Sequence, residues 1–255
     1  MREIRLFDST TGELSPVKQG DAIRIEVQRS HAVHEDGVVD VVSSRSFVLF
    51  GLLQRFLDWE GFPTTFLFDS PNGDDFLYQL SEDLIDHSGS IANGELSLLE
   101  VQRDDVERWI DIRFGAGRAE AQSIATHASE RISLSVALER YGPHAVTLYL
   151  LGTHYSQPLG GAVEGLVVGA HHVQRIRTLL GTLRPGEPSP ADMHEHVEAF
   201  RDALASDLNT PLALVVLFEW LLEAERRGGD LGDEDLRMML EMFELHDLAL
   251  PVGAT

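Results

Sequence analysis

Two apolar runs enclose a stretch with helical spacing, and that order constrains the fold more than any other feature. Ala22-Ile23-Arg24-Ile25-Glu26-Val27 alternates apolar with polar, as a strand does. Thr64-Thr65-Phe66-Leu67-Phe68 reads as a buried strand. Between them Phe47, Phe50, Leu53, Phe56 and Leu57 recur as on one face of a helix. Ser43-Ser44 is placed to cap that helix, and Gly61-Phe62-Pro63 stops it. Strand, helix, strand in sequence is a parallel βαβ unit, because parallel neighbours need a crossover rather than a tight turn. Residues 4–7 read as a further strand. Val38-Val39-Asp40-Val41-Val42 reads as a third strand or as the approach to the helix. The first half is therefore expected to be α/β.

The pattern then changes. Asp69-Ser70-Pro71-Asn72-Gly73 predicts a turn and residues 76–87 a helix. The signal is weak from 88 to 135, where Trp109-Ile110-Asp111-Ile112-Arg113-Phe114 suggests a strand and Ser133–Tyr141 a helix. After Gly142-Pro143, helical periodicity covers Val146–Leu151, 162–183, 190–206, 210–227 and 233–247. Pro158, Pro185, Pro211 and Gly228-Gly229 interrupt it, and Gly186–Pro190 reads as a linker. The expected organisation is an α/β domain over 1–150 and a helical bundle over 151–255.

Charge narrows the partners. The 255 residues include 42 acidic against 20 basic, a net charge of -22, and Lys18 is the only lysine. Such a surface repels a polyanion at long range, which argues against a broad nucleic-acid footprint. Protein partners or self-association are expected instead. No cysteine is present, so disulfides and thiolate metal sites are excluded. Met1-Arg2-Glu3-Ile4-Arg5 lacks the apolar core of a secretory signal, and no apolar stretch approaches the ~20 residues of a membrane span. A cytoplasmic protein without membrane contact is the expectation.

Local clusters offer little chemistry. His31 and His34, followed by Glu35-Asp36, have spacing that zinc accepts, but two histidines in a loop read better as solvated surface. His171-His172 and His194-x-His196 fall in helices, and Gly115-Ala116-Gly117 is too short for a dinucleotide signature. No Ser/His/Asp or paired-carboxylate arrangement stands out. Neither a cofactor nor a bound metal is expected.

Four stretches resemble cysteinyl-tRNA synthetase, a class I aminoacyl-tRNA synthetase. They are Ile4-Arg5-Leu6-Phe7-Asp8-Ser9-Thr10-Thr11, then Arg45–Leu57, then Ala137–Pro143 with Tyr149-Leu150-Leu151-Gly152-Thr153-His154-Tyr155-Ser156-Gln157-Pro158-Leu159, and finally Phe200–Leu204 with Asp207-Leu208-Asn209-Thr210-Pro211. The last two are specific. The resemblance implies a reduced Rossmann-like domain, followed by a helical bundle similar to the stem-contacting domain of that family. By the same resemblance, no separate anticodon-binding module is expected within these 255 residues.

The same resemblance implies that the catalytic motifs are altered. Asp40-Val41-Val42-Ser43 stands where the family has its HIGH-type ATP signature. A carboxylate there repels a triphosphate, and valine blocks the approach that glycine permits. Ser123-Ile124-Ala125-Thr126 takes the place of the KMSKS loop, in a region without lysine. Arg118 or Arg131 would substitute poorly for a mobile ammonium. Gln28 replaces the first zinc-binding cysteine, and the segment bearing the other ligands is missing. Trp109 matches the tryptophan of the family's substrate pocket, and Asn72-Gly73-Asp74-Asp75-Phe76 its acidic motif. By position in the family, the ligand-binding candidates are Asp40, Ser43, Asp74 and Trp109. The expected function is a non-catalytic binding or regulatory module. Alternatives are an ATP-dependent aminoacyl or amino-acid ligase with a remodelled site, and a tRNA-binding accessory protein.

Overall fold

A computed structural model describes residues 2–18, 21–27, 41–62, 65–69, 109–114, 132–157, 159–228 and 230–249. It opens with a hairpin of β1 (Arg5–Asp8) and β2 (Glu13–Pro16), antiparallel and in register from Arg5↔Pro16 to Asp8↔Glu13. The Asp8 carboxylate accepts the Thr10 amide at 2.9 Å, and Gly12, at φ +76°, donates to the Asp8 carbonyl. This side-chain turn sets the hairpin. The sequence reading includes β1 but not β2, because Glu13-Leu14-Ser15-Pro16 shows no alternation of burial.

β3 (Ala22–Val27) is the centre of a second, parallel sheet, flanked by β4 (Thr65–Asp69) and β5 (Trp109–Phe114). Ala22 pairs with both Thr65 and Trp109, and Val27 with Phe114. Helix α1 (Arg45–Trp59) connects β3 to β4, so the expected βαβ unit is present. Residues 41–44 form a 3-10 turn, which makes the end of the 38–42 run the approach to α1; residues 38–40 lie outside the described residues.

The expected serine cap does not form. Ser44 has helical dihedrals, and its hydroxyl donates back to the Val41 carbonyl at 2.7 Å. The 3-10 turn runs directly into α1, so the cap position is already helical and its side chain turns backward. The other end follows expectation. Phe62 donates to Leu57 and Gly61 (φ +77°) to Asp58, the paired bonds of a Schellman stop, with Phe62 buried behind them.

The remainder is helical: α2 (Leu134–Tyr141), α3 (Pro143–Leu151), α4 (Ala162–Leu180), α5 (His194–Ala205), α6 (Thr210–Arg226) and α7 (Glu234–Met242). Residues 144–151 of α3 are all buried. α4 reaches α3 through Gly169, where a Cβ would lie 2.5 Å from the Ala145 carbonyl oxygen. Three ends differ from the periodicity. α4 stops at Leu180, α5 is preceded by a 3-10 turn at Ala191–Met193, and α7 ends before Glu244, whose φ is +56°.

Gly186–Pro190 is a packed strap rather than a free linker. The Gly186 amide donates to Asp233 at 2.8 Å, and the buried Ser189 hydroxyl donates to the Gly232 carbonyl. One apolar cluster links Ile4, Leu6 and Ile23 through Phe56 of α1 to Phe200, Trp220 and Phe243, with members on both sides of residue 150. The described chain is thus mostly helical with two small sheets, an α/β arrangement. No helix among the described residues is long and apolar enough to cross a membrane.

Candidate functional site

In an open parallel sheet, ligands sit beyond the carboxyl ends of the strands, where the crossover direction reverses. Here the chain leaves β3 for β4 on one side and returns to β5 on the other. The reversal lies between Val27 and Phe114. Residues directly after Val27, Asp69 and Phe114 lie outside the described residues.

The sequence candidates divide on this geometry. Ser43 lies in the 3-10 turn that enters α1. Trp109 heads β5 and pairs with Ala22, at the amino ends of the strands. Five residue rises separate it from the Phe114 edge, about 17 Å. Gln28, His31, His34, Asp40, Asp74, Gly115–Gly117, Arg118, Ser123–Thr126 and Arg131 lie outside the described residues. Among the described residues, no group of three His, Asp or Glu could hold a metal ion.

The stretches that resemble the synthetase form a built cluster of their own. Arg45, on the first turn of α1, is buried. Its guanidinium donates to the Leu150 carbonyl at 3.1 Å, to the Gln157 carbonyl at 2.9 Å and to the Thr153 carbonyl. A cation is favoured there because the last carbonyls of α3 have no partner within the helix. Thr210, fully buried, donates to the Leu151 carbonyl at 2.8 Å. Asn209 caps α6 by accepting the Leu212 amide, with Pro211 in the first turn.

Asp207 joins this cluster to β1. Its carboxylate accepts the Tyr155 hydroxyl at 2.5 Å and the Phe7 amide at 2.8 Å, while its own amide donates to the Arg5 carbonyl. Asp207 and Leu208 hold φ of +59° and +49°, a left-handed corner that Asp tolerates better than Leu. Burial, and then the neighbouring Asp207 charge, push the Tyr155 hydroxyl far above its ordinary value, so it remains a donor.

A Ser-His-Asp grouping that sequence reasoning missed appears here. His154 Nδ1 is 2.8 Å from the Ser156 hydroxyl, and Nε2 is 2.9 Å from Asp207. The Asp207 atom is the backbone carbonyl, however; the nearest carboxylate oxygen, Oδ2, is 3.7 Å away, and Oδ1 serves Tyr155 and Phe7. His154 therefore ties its own turn to the corner before α6, which is a structural function. Residues 154 and 207 are distant in sequence, so spacing alone gives no sign of the grouping.

A second concave feature lies between the start of α5 and the end of α6. A groove of about 620 Å³ is lined by Asp192, Glu195, His196, Glu219, Leu222, Glu223, Arg226 and Arg227. Arg227 pairs with Asp192 and Glu223, and Arg226 also holds Glu223. Hydrogen bonds from Arg226 and Arg227 lower the Glu223 carboxyl to about 2. His196 Nδ1 bonds the Met193 carbonyl at 3.1 Å. Of the other helical histidines, His194 pairs with the buried Asp235 and His172 packs on Phe218.

No family model matches the chain. Over 123 residues it is 30% identical to a cysteine–tRNA ligase of Azotobacter vinelandii, covering 48% of this chain and 25% of that protein. A cysteine–tRNA ligase of Methylococcus capsulatus is 38% identical over 92 residues, 35% of this chain and 20% of the relative. One from Ectopseudomonas mendocina is 30% identical over 140 residues, 55% of this chain and 29% of the relative. The chain spans under a third of the length of these curated relatives. It is, over about half of its own residues, a partial relative of cysteine–tRNA ligase, the enzyme also called cysteinyl-tRNA synthetase.

Proposed function

We propose that this chain is a synthetase-like protein without the HIGH, KMSKS and zinc-ligand motifs, acting as a non-catalytic binding or regulatory module in the cytoplasm. Residues 1–150 would be a reduced Rossmann-like domain, and 151–255 a helical bundle like the family's stem-contacting domain.

The distribution of lysine carries this reading. A phosphoryl-activating site needs mobile cations on the transferring phosphates. Lys18 is the sole lysine. It precedes β3, with its amide bonded to Asp21 at 2.7 Å, at the amino edge of the sheet. The opposite edge, where a nucleotide would bind, is about 17 Å away. Meanwhile the best-defined family-like residues, Arg45, Tyr155, Asp207 and Thr210, are engaged in holding helices and β1 together. Retained packing beside absent chemistry fits a module that works through contact. With Gln28 at the thiolate position and no cysteine, zinc has no family site, and Asp40, Ser43, Asp74 and Trp109 are proposed only as remnants of the ligand pocket.

Titration calorimetry with magnesium-ATP tests this. No heat of binding is expected up to millimolar nucleotide. Micromolar affinity would overturn the reading in favour of a ligase with a remodelled site.

A further inference from the structure

We propose that the apolar ridge of Leu212, Val215 and Leu222 on α6, continued by Val168 on α4, docks a basic amphipathic helix of another protein. Leu212, Val215, Glu219 and Leu222 follow one another at intervals of 3, 4 and 3 residues, which places them on one helix face. The three apolar side chains are 47%, 51% and 59% exposed, and Val168 is 51% exposed. His172 lies 4.1 Å from the Phe218 ring, and Arg175 bonds Glu225 at 2.7–2.8 Å. The two contacts follow the same order along α4 and α6, so Val168, one turn before His172, and Val215, one turn before Phe218, lie at the same end of this helix pair. Large exposed apolar side chains grouped on one helix face, with another on the neighbouring helix, mark a docking surface.

Charge selects the occupant. Arg175, Arg226 and Arg227 are engaged with Glu225, Glu223 and Asp192. Glu195 and Glu219 have no ion-pair partner among the described residues, and both line the groove beside Leu222. That groove can take a long basic side chain, with its stem over Leu222 and its head between the two carboxylates. A second copy of the chain would bring the same net charge of -22 and, about a two-fold axis, the same carboxylates. A basic helix with apolar anchors at i, i+3 or i+4 and i+7 is complementary in both respects.

This inference deepens the binding-module reading and rests on it. ATP affinity would overturn that reading, whereas the ridge is tested separately with a synthetic 18-residue peptide, leucine on one face and lysine and arginine on the other. Calorimetry on the full chain should show micromolar binding that weakens with salt. Leu212→Gln with Leu222→Gln, which keeps the charge, should weaken it at least tenfold with unchanged circular dichroism. Val163→Gln with Val167→Gln, exposed but on another face of α4, should bind like the unmodified chain. A scrambled peptide of the same composition should bind at least tenfold more weakly. Equal binding by the ridge variant would mean attraction by net charge alone and would overturn the proposal. So would a dimer in light scattering that the ridge variant abolishes, or tRNA binding lost in that variant.

Discussion

Replacing Arg45 with methionine removes one guanidinium from a place where three carbonyls converge. The side chain is only 8% exposed and reaches Leu150, Thr153 and Gln157 at once. Methionine keeps most of the apolar stem but leaves the Leu150 carbonyl buried without this donor. The other two carbonyls are partly exposed and can recover water. One fully stranded carbonyl and two partly compensated charged bonds together give a loss of about 3 kcal/mol. For a chain this long, with a urea slope of about 3 kcal/mol/M, the unfolding midpoint should fall by about 1 M. Arg45→Lys should recover roughly half, since an ammonium cannot match a planar fork to three acceptors. Equilibrium urea unfolding, followed by tryptophan fluorescence and circular dichroism together, measures both. A methionine variant within about 0.3 M of the unmodified chain would refute the assignment of Arg45 as the clamp on the end of α3.

Two further outcomes follow from packing and burial. Gly169→Ala should lower the melting temperature by about 5–10 °C, because the atoms nearest the new Cβ are Ala145 backbone and the two helices must separate; an unchanged melt would contradict the close approach. His144 has its pKa held below 6.5 by burial, against the pull of Asp247. The unfolded chain then binds more protons than the folded one as pH falls below 6.5, so this stability is present above that value and is lost on acidification. The urea midpoint should drop between about pH 7 and 5.5, and less steeply for His144→Gln; parallel profiles would remove His144 as the cause.

Strong local signals were legible where periodicity and punctuation agreed. The strands at 22–27 and 109–114 and the Gly61-Phe62 stop stand where the sequence puts them. β2 escaped because a side-chain turn at Asp8, not an apolar alternation, makes the hairpin. The Ser44 cap failed because a 3-10 turn preceded it, which serine preference alone cannot signal. The Gly186–Pro190 segment looked like a linker by composition, yet long-range bonds to Gly232 and Asp233 pack it down. The clamp around Asp207 was visible only as a family-like string. Its purpose depends on a left-handed backbone and on a contact with β1 some 200 residues earlier. The pocket candidates Asp40 and Asp74 lie outside the described residues, and Trp109 was placed by likeness rather than by any local physical signal.

Cysteine-dependent exchange of labelled pyrophosphate into ATP reads the chemistry directly, whatever the affinity for nucleotide. With Lys18 at the amino edge of the sheet and no cysteine ligand for zinc, the purified chain should give no exchange above background with cysteine or any other amino acid. Exchange that depends on an added amino acid would contradict the proposal that this chain is a non-catalytic relative.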